Sequence, residues 1–187
     1  GYADIALPGR QAELLRRIAA LGKPVILLVT SGRPILYPEL EPHADAILHI
    51  WECGYGAAAG CCDILSGAYN PSGRLAITFP RSVGQIPIYY NRHHRARRED
   101  DLSGGAYFDL DGEPMYPFAY GLSYTRYEYA DLRISPELTA QVTLRNIGKY
   151  AGRETVFWFL TAPEATLTQP VKRLIAFEQL ELAPGEE

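Results

Sequence analysis

The sequence has no excess of basic residues and no long apolar run. Its 187 residues include 18 Lys and Arg against 22 Asp and Glu, a net charge of -4, so the composition gives no reason to expect a nucleic-acid partner. No segment approaches the roughly 20 apolar residues of a membrane span. The N-terminus has none of the basic, apolar and small-residue sections of a signal peptide, although a signal on a preceding segment stays open. We expect a globular chain without nucleic-acid or membrane partners.

Cysteine is also scarce. The three cysteines, Cys53, Cys61 and Cys62, lie within ten residues of one another, and an odd number cannot be fully paired in one chain. No CxxC pair accompanies them, so we expect neither a disulfide scaffold nor a metal site. Cys61 and Cys62 are interpreted as small apolar residues on a helix face. Unpaired thiols slightly favour a reducing cytoplasm over a periplasmic or secreted location, and the compartment stays unknown.

Nucleotide and serine-hydrolase motifs are missing too. The segment Thr30–Pro34 reads TSGRP and follows an apolar run, and such a glycine turn exposes backbone N–H groups as phosphate sites do. It lacks the GxxxxGK[ST] and GxGxxG patterns, and no GxSxG elbow is present. We therefore expect no cofactor and no serine nucleophile.

The first half of the chain alternates helix and strand signals. Apolar residues at helical spacing predict a helix over Gln11–Leu21, and the apolar run Pro24–Thr30 is typical of a buried parallel strand. A short helix, a second buried strand and an alanine-rich helix are predicted over Pro34–Leu40, Ala46–Trp51 and Tyr55–Leu65. This alternation predicts an α/β fold with a mainly parallel sheet and flanking helices.

From about Tyr127 the pattern changes to short strands with alternating polarity. They are predicted over Ala140–Arg145, Thr155–Thr161 and Leu174–Leu182. The region holds about four strands, fewer than the about seven of a complete sandwich of the fibronectin class. We therefore expect an incomplete all-β sandwich.

A block of charge, RHHRARREDD, separates the two halves at Arg92–Asp101. Adjacent like charges repel and are costly to bury, so we interpret it as a solvated loop. A loop that hangs over a substrate cleft is the functional alternative. His93 and His94 would act as metal ligands only with carboxylates or cysteines nearby in space.

Two strings are more specific, YNPSGRLAITFPRSVGQIPIYYN at 69–91 and PMYPFAYGLSYT at 114–125. The segments GKPVILLVTSGRP and HADAILHIW precede them, and PVKRLIAFEQLELAPGE follows them. In this order the five segments resemble glycoside hydrolase family 3 over nearly the whole chain. The resemblance implies a β-glucosidase-like enzyme with a barrel domain, an α/β sandwich and a fibronectin type III-like domain. It assigns residues 1–90 to the α/β sandwich, 91–126 to an aromatic-rich linker, and 127–187 to a truncated fibronectin type III-like domain.

The resemblance also implies which chemistry this segment lacks. Retaining glycoside hydrolysis needs a carboxylate nucleophile and a carboxylic acid about 5 Å apart. In the family the nucleophile is an aspartate of the barrel, and in a subset the acid/base is the glutamate of an SGEGY motif. Because this chain begins with Gly1 and Tyr2, that glutamate is expected immediately before it. We assign no catalytic residue, take Gly1 and Tyr2 as cleft candidates, and interpret Asp4 and Glu13 as solvated surface acids.

Three further cleft candidates follow from the predicted topology. In open parallel sheets the ligand lies beyond the carboxyl ends of the strands. In the loops after the two predicted strands, Arg33 is suited to orient a hydroxyl or carboxylate, and Trp51 and Tyr55 are suited to stack on a pyranose. The structural alternatives are that Arg33 caps a helix or pairs with Glu39, and that Trp51 is a core residue.

The chain departs from the family pattern after the second strand. The family commonly reads WxPGxEGG, whereas ECGYGAA follows Trp51 here. Cys53 and Gly56 thus replace the proline and the glutamate, and Ala57 and Ala58 replace the glycine pair. These changes bear on cleft contacts more than on the fold.

The sequence thus predicts the non-barrel portion of a retaining, exo-acting β-glucosidase that hydrolyses terminal β-D-glucosyl residues. Its expected partners are a β-linked oligosaccharide or glycoside substrate and the missing barrel domain, and the isolated chain is expected to be inactive. A β-xylosidase or another family 3 exo-glycosidase is one alternative. A non-catalytic module that binds carbohydrate or a partner chain is the other. Sugar and linkage specificity and the oligomeric state stay open.

Overall fold

A computed structural model describes residues 3–93, 107, 109–110 and 112–187. The helices and strands, in chain order, are α1 (Gln11–Ala19), β1 (Ile26–Val29), β2 (Ala46–His49), α2 (Ala57–Ser66), β3 (Tyr127–Ile134), β4 (Ala140–Asn146), β5 (Gly152–Leu160) and β6 (Arg173–Leu182), with short 3-10 helices at Glu41–His43, Gly54–Gly56 and Val83–Gln85. The chain divides into two compact units. Unit 1 comprises Gly1–Ala58, Leu75–Ala119 and Thr161–Arg173, and unit 2 comprises Ala59–Arg74, Tyr120–Leu160 and Leu174–Glu187.

Unit 1 contains a parallel pair of strands, β1 and β2. Their register is unbroken from the pair Ile26 and Ala46 to the pair Val29 and His49. A backbone hydrogen bond of 2.8 Å from Ile50 N to Val29 O extends the pairing by one residue. Since parallel strands end at the same edge, the segments that leave β1 and β2 begin side by side.

The helix predicted over Gln11–Leu21 is present as α1, which ends at Ala19. After the end of α1, Gly22 adopts a φ of +67°. Glycine takes this left-handed conformation without the steric cost of a Cβ atom. Leu15 is the buried residue of α1 and packs in the core of unit 1. The observed helix is thus two residues shorter at its C-terminus than the predicted one.

The short helix predicted over Pro34–Leu40 is wrong. Residues 34–37 have no helical assignment, and a turn at 38–40 leads into the 3-10 helix Glu41–His43. Two causes act together. Pro38 disfavours a helical conformation at Tyr37, and the N–H of Leu36 is used in a 3.1 Å hydrogen bond to the Ile5 carbonyl.

The alanine-rich helix predicted over Tyr55–Leu65 is confirmed in the form of α2, preceded by the 3-10 helix Gly54–Gly56. Cys61 is half-buried and Cys62 is exposed, and both thiols are unpaired, as is the exposed Cys53. The two helical cysteines thus differ in environment, and only Cys61 is partly covered as a small apolar residue.

The core of unit 1 is rich in aromatic residues. Its buried members are Leu15, Val29, Ile35, Tyr37, Leu40 and Phe79. The Tyr37 ring centroid lies 5.8 Å from that of Phe79 and 5.7 Å from that of Tyr116, within the range of favourable aromatic pairs. Phe79 N also donates a 2.8 Å hydrogen bond to Tyr116 O, so backbone pairing and ring packing hold the same two segments together.

Unit 2 is built on strands. β3 and β4 pair antiparallel, with an irregularity between Ala130 and Arg133 where Asp131 has a φ of +53°. β5 and β6 form a second two-stranded sheet. Leu144, Val156 and Leu182 are the buried residues of its apolar cluster.

Two asparagines hold the loops of unit 2. Asn70 Oδ1 accepts hydrogen bonds from Tyr124 N at 2.8 Å and Ser123 Oγ at 2.9 Å. Asn146 is fully buried, and its Oδ1 accepts a 2.7 Å hydrogen bond from Thr125 Oγ1. Both side chains thus bind segments that are distant in the chain.

Among the described residues, no helix has the length and apolar character that crossing a bilayer requires.

Candidate functional site

The loops that follow β1 and β2 share one edge of the parallel sheet in unit 1. They contain Thr30–Pro34 and Trp51–Gly56, and they begin next to each other because Val29 is the register partner of His49. This edge is where ligands bind in open parallel sheets. It is therefore the candidate site, and it contains three residues selected from the sequence.

The first loop is a compact turn that fixes Arg33. Ser31 Oγ donates to the Arg33 carbonyl at 2.8 Å and accepts from Arg33 N at 3.3 Å. The half-buried Arg33 side chain donates from Nη2 to the Asp4 carbonyl at 3.1 Å. The guanidinium thus binds the N-terminal segment. Glu39, the partner considered from the sequence, lies 4.0 Å from Arg16.

The second loop begins at Trp51, which adopts a φ of +49°. Its half-buried ring packs edge-on against His49 at 4.4 Å and Phe79 at 5.8 Å. Trp51 therefore belongs to the aromatic cluster on one side and is partly exposed on the other. Tyr55, in the 3-10 helix Gly54–Gly56, is fully exposed. An exposed ring on a loop is available for stacking against another flat surface.

Glu52 and Gly32 join the two loops. A Cβ atom placed on Gly32 would lie 2.7 Å from Glu52 Oε1, so the carboxylate occupies the space that a side chain would fill. Glu52 itself is exposed. Glu52 does not stand out in the sequence, because a single glutamate in a loop has the pattern of an ordinary surface acid and its contact with Gly32 exists only in three dimensions.

His49, the last residue of β2, is enclosed by aromatic rings. Its Nδ1 is 2.6 Å from the Tyr37 hydroxyl, and Nε2 has no hydrogen-bond partner among the described residues. Burial lowers the pKa of His49, against a smaller opposite effect of the Ser31 backbone, and burial raises the pKa of Tyr37. Both groups are thus neutral near pH 7. These two neutral side chains are therefore not suited to exchange protons with a ligand near pH 7.

The remaining candidates of the sequence analysis fall elsewhere. Gly1 and Tyr2 lie outside the described residues, as do residues 94–101 of the charged block. The beginning of that block is held by a 2.8 Å hydrogen bond from Val171 N to Arg92 O. Within the described part of the chain, no group of three or more His, Cys, Asp or Glu side chains is arranged to hold a metal ion.

The acids near the N-terminus have structural partners. Asp4 Oδ1 accepts a 2.9 Å hydrogen bond from Ala6 N. Glu13 pairs with Arg10 at 2.8 Å and Arg17 at 2.7 Å, and the hydrogen bond from Arg10 lowers the pKa of Glu13. A general acid needs the opposite, a raised pKa that keeps its proton near neutral pH, so Glu13 is unsuited to that role.

The fold is mixed α/β, and the candidate site is built from loops at one edge of its parallel strand pair. Comparison with known proteins identifies the family. The family model described as "Glycosyl hydrolase family 3 C-terminal domain" matches residues 2–124. The chain belongs to glycosyl hydrolase family 3, which confirms the family inferred from its motifs.

Individual relatives agree. The chain is 39% identical over 194 residues to the "Periplasmic beta-glucosidase" of Salmonella typhimurium, an alignment that covers 98% of this chain and 25% of the relative. It is 37% identical over 191 residues to a "Putative beta-xylosidase" of Formosa agariphila, which covers 98% of this chain and 24% of the relative. The chain thus spans about a quarter of the length of these curated relatives.

A solved structure shows the same fold. The crystal structure of beta-glucosidase from Listeria innocua in complex with glucose superposes with a TM-score of 0.91 at 38% sequence identity, over 99% of this chain and 27% of that one. The mutant (D270A) of that enzyme in complex with laminaribiose gives a TM-score of 0.92 over the same shares.

Proposed function

We propose that the chain is the non-barrel portion of a retaining, exo-acting β-glucosidase that hydrolyses terminal β-D-glucosyl residues of β-linked oligosaccharides or glycosides. The observation that carries the proposal is similarity along the whole chain. It reaches 39% identity over 98% of the chain with a periplasmic β-glucosidase and a TM-score of 0.91 over 99% of the chain with a β-glucosidase bound to glucose.

The proposed architecture is a mainly parallel α/β sandwich over residues 1–90, a linker over 91–126 and a truncated fibronectin type III-like domain over 127–187. The parallel pairing of β1 and β2 supports the first assignment. The four strands from Tyr127 to Leu182 support the third. A barrel domain is the proposed partner, because this chain spans about a quarter of its relatives.

The reaction needs two carboxyl groups, and in our proposal both lie outside this chain. The nucleophile belongs to the barrel, and the acid/base lies immediately before Gly1. The ionised, paired state of Glu13 supports this division, because a retaining enzyme needs a protonated acid next to the leaving group. The isolated chain is therefore inactive, and it contributes one wall of the cleft.

In that wall, Arg33, Trp51 and Tyr55 are the proposed contacts to sugar, together with Gly1 and Tyr2. Tyr55 supplies an exposed ring for stacking. Trp51 supplies the uncovered side of a ring whose other side is packed on His49 and Phe79. Arg33 has a fixed guanidinium, which limits the entropy lost when it orients a hydroxyl.

A β-xylosidase is the second candidate, since two relatives from Formosa agariphila with 37% and 33% identity have that name. A non-catalytic module that binds carbohydrate or a partner chain is the alternative outside the enzymes. Dye release from aryl β-glucoside and aryl β-xyloside, measured for the full-length parent and for this chain, separates the three. Activity in the parent alone supports the proposal and identifies the sugar. Activity of the isolated chain refutes the division of the site, and inactivity of both favours the module.

A further inference from the structure

The carboxylate of Glu52 occupies a space that only glycine at position 32 leaves open. A Cβ atom on Gly32 would lie 2.7 Å from Oε1 and 3.0 Å from Cδ of Glu52, well inside van der Waals contact. Gly32 does not have a left-handed φ, so its backbone conformation does not require glycine. With the Glu52 carboxylate in this position, a side chain at position 32 has no room.

The backbone before Glu52 is held in an unusual conformation. Trp51 has a φ of +49°, and the chain bends at Glu52. A bulky residue in the left-handed region costs free energy, and such strain persists where the surrounding structure enforces it and function uses it. Here the packing of the Trp51 ring on His49 and Phe79 fixes the conformation. Trp51 thereby directs the following carboxylate toward the loop after β1.

The charge of Glu52 is not neutralised within the part of the chain that the structure describes. Its carboxylate is exposed and makes no hydrogen bond or ion pair there. The arginine of the neighbouring loop, Arg33, donates to the Asp4 carbonyl at 3.1 Å. An exposed carboxylate without partners in the described part of the chain has lone pairs available to accept hydrogen bonds from two adjacent hydroxyl groups.

We propose that Glu52 is a sugar-binding residue of the cleft, which accepts hydrogen bonds from hydroxyl groups of the glycoside and thereby contributes to specificity. Gly32 is its positioning residue, because it leaves the space for the carboxylate. The inference rests on the proposed function, since it takes the edge above β1 and β2 as part of the cleft.

The first experiment replaces Glu52 in the full-length parent and measures hydrolysis of 4-nitrophenyl β-glucoside. Glu52→Gln keeps the size of the side chain and removes its charge. We expect kcat/KM to fall by about 10- to 100-fold, mainly through KM, because a hydrogen bond to a charged group is lost. The melting temperature stays unchanged. Glu164→Gln is the matched control, an exposed glutamate of unit 1, and it leaves both KM and the melting temperature unchanged.

A second measurement identifies the hydroxyl. Wild type and E52Q are compared on aryl glucosides that each lack one hydroxyl group. The loss caused by E52Q should disappear on the substrate that lacks the partner of Glu52 and persist on the others. An equal loss on every deoxy substrate overturns the proposal. An unchanged KM of E52Q on 4-nitrophenyl β-glucoside overturns it as well.

The positioning role of Gly32 is tested by Gly32→Ala and the double variant with Glu52→Ala. The added methyl group displaces the carboxylate, so G32A should raise KM about as much as E52A, and the double variant should lose no more than either. Additive losses overturn the role of Gly32.

The proposed function and the role of Glu52 fail in different ways. If the wild-type parent hydrolyses no aryl glycoside, the proposed function is wrong, and glucose binding by titration calorimetry then decides about Glu52. Weaker binding by E52Q supports its role, and equal binding by wild type and E52Q overturns it. Absence of glucose binding by the wild type overturns both.

Discussion

The guanidinium of Arg74 forms an ion pair with the carboxylate of Glu154 inside unit 2, where the two side chains are only 9% and 11% exposed. The other oxygen of Glu154 accepts a 3.0 Å hydrogen bond from the Tyr129 hydroxyl. Arg74 ends the first segment of unit 2, Ala59–Arg74, and Glu154 lies in β5. The ion pair therefore connects that segment to a strand of the same unit.

Loss of one partner should be costly. Glu154→Ala leaves the Arg74 charge buried and unpaired, so we expect the free energy of unfolding to fall by about 3 kcal/mol or more. Urea denaturation of the parent and variant measures it. Replacement of both partners, Arg74→Met with Glu154→Leu, should recover most of the loss because no buried charge remains.

The matched control is the exposed pair Arg153 and Glu181, whose side chains are 45% and 74% exposed. Glu181→Ala should cost less than about 1 kcal/mol, as exposed ion pairs do. Equal losses for E154A and E181A would contradict the importance of burial.

A buried amide should be just as sensitive. Asn146 Nδ2 donates to Tyr150 O at 2.8 Å and Leu182 O at 3.0 Å, while Oδ1 accepts from Thr125 Oγ1. Asn146→Ala leaves these groups without partners in the core, and we expect a loss of about 2 to 4 kcal/mol by urea denaturation. Gln141→Ala, an exposed site on the same strand, should change stability by less than about 0.5 kcal/mol. Similar values for the two variants would show that the Asn146 hydrogen bonds contribute little.

The elements that could be predicted from the sequence are those set by local patterns. β1, β2 and α2 follow from apolar runs and alanine content. The helix predicted over Pro34–Leu40 does not form, because Pro38 disfavours a helical conformation at Tyr37 and the Leu36 N–H bonds to the distant Ile5 carbonyl. Glu154 and Asn146 could not be recognised as buried, since burial of a polar side chain depends on partners distant in the sequence. The candidate edge follows from the predicted topology of the two strands, whereas the contact between Gly32 and Glu52 is visible only once both loops are folded.

Close approach of two backbones should make Gly121 irreplaceable. A Cβ atom there would collide with the carbonyl oxygen of Gly73, and a backbone atom cannot move aside as a flexible side chain can. We expect Gly121→Ala to lower the free energy of unfolding by about 1 to 3 kcal/mol. Gly60→Ala is the control, because Gly60 lies within α2 with no atom within 4 Å of the added carbon. It should raise stability by about 0.5 to 1 kcal/mol, so a loss at both sites would argue against the collision at Gly121.

Stability should fall in mild acid because of His49. Burial lowers its pKa below the ordinary value of 6.5 in the folded state, so the unfolded chain binds the proton more readily. Since stability rises with pH wherever the unfolded state binds more protons, this contribution is fully present above 6.5 and is lost progressively as the pH falls below it. Tyr37, the hydrogen-bond partner, has a raised pKa and stays neutral throughout this range. The measurement is the urea midpoint from pH 5.5 to 7.5 for the wild type and His49→Phe. The phenylalanine variant fills the aromatic cluster without a titrating group, so the difference between the two proteins should change with pH in this window. A pH-independent difference would mean that protonation of His49 does not couple to unfolding.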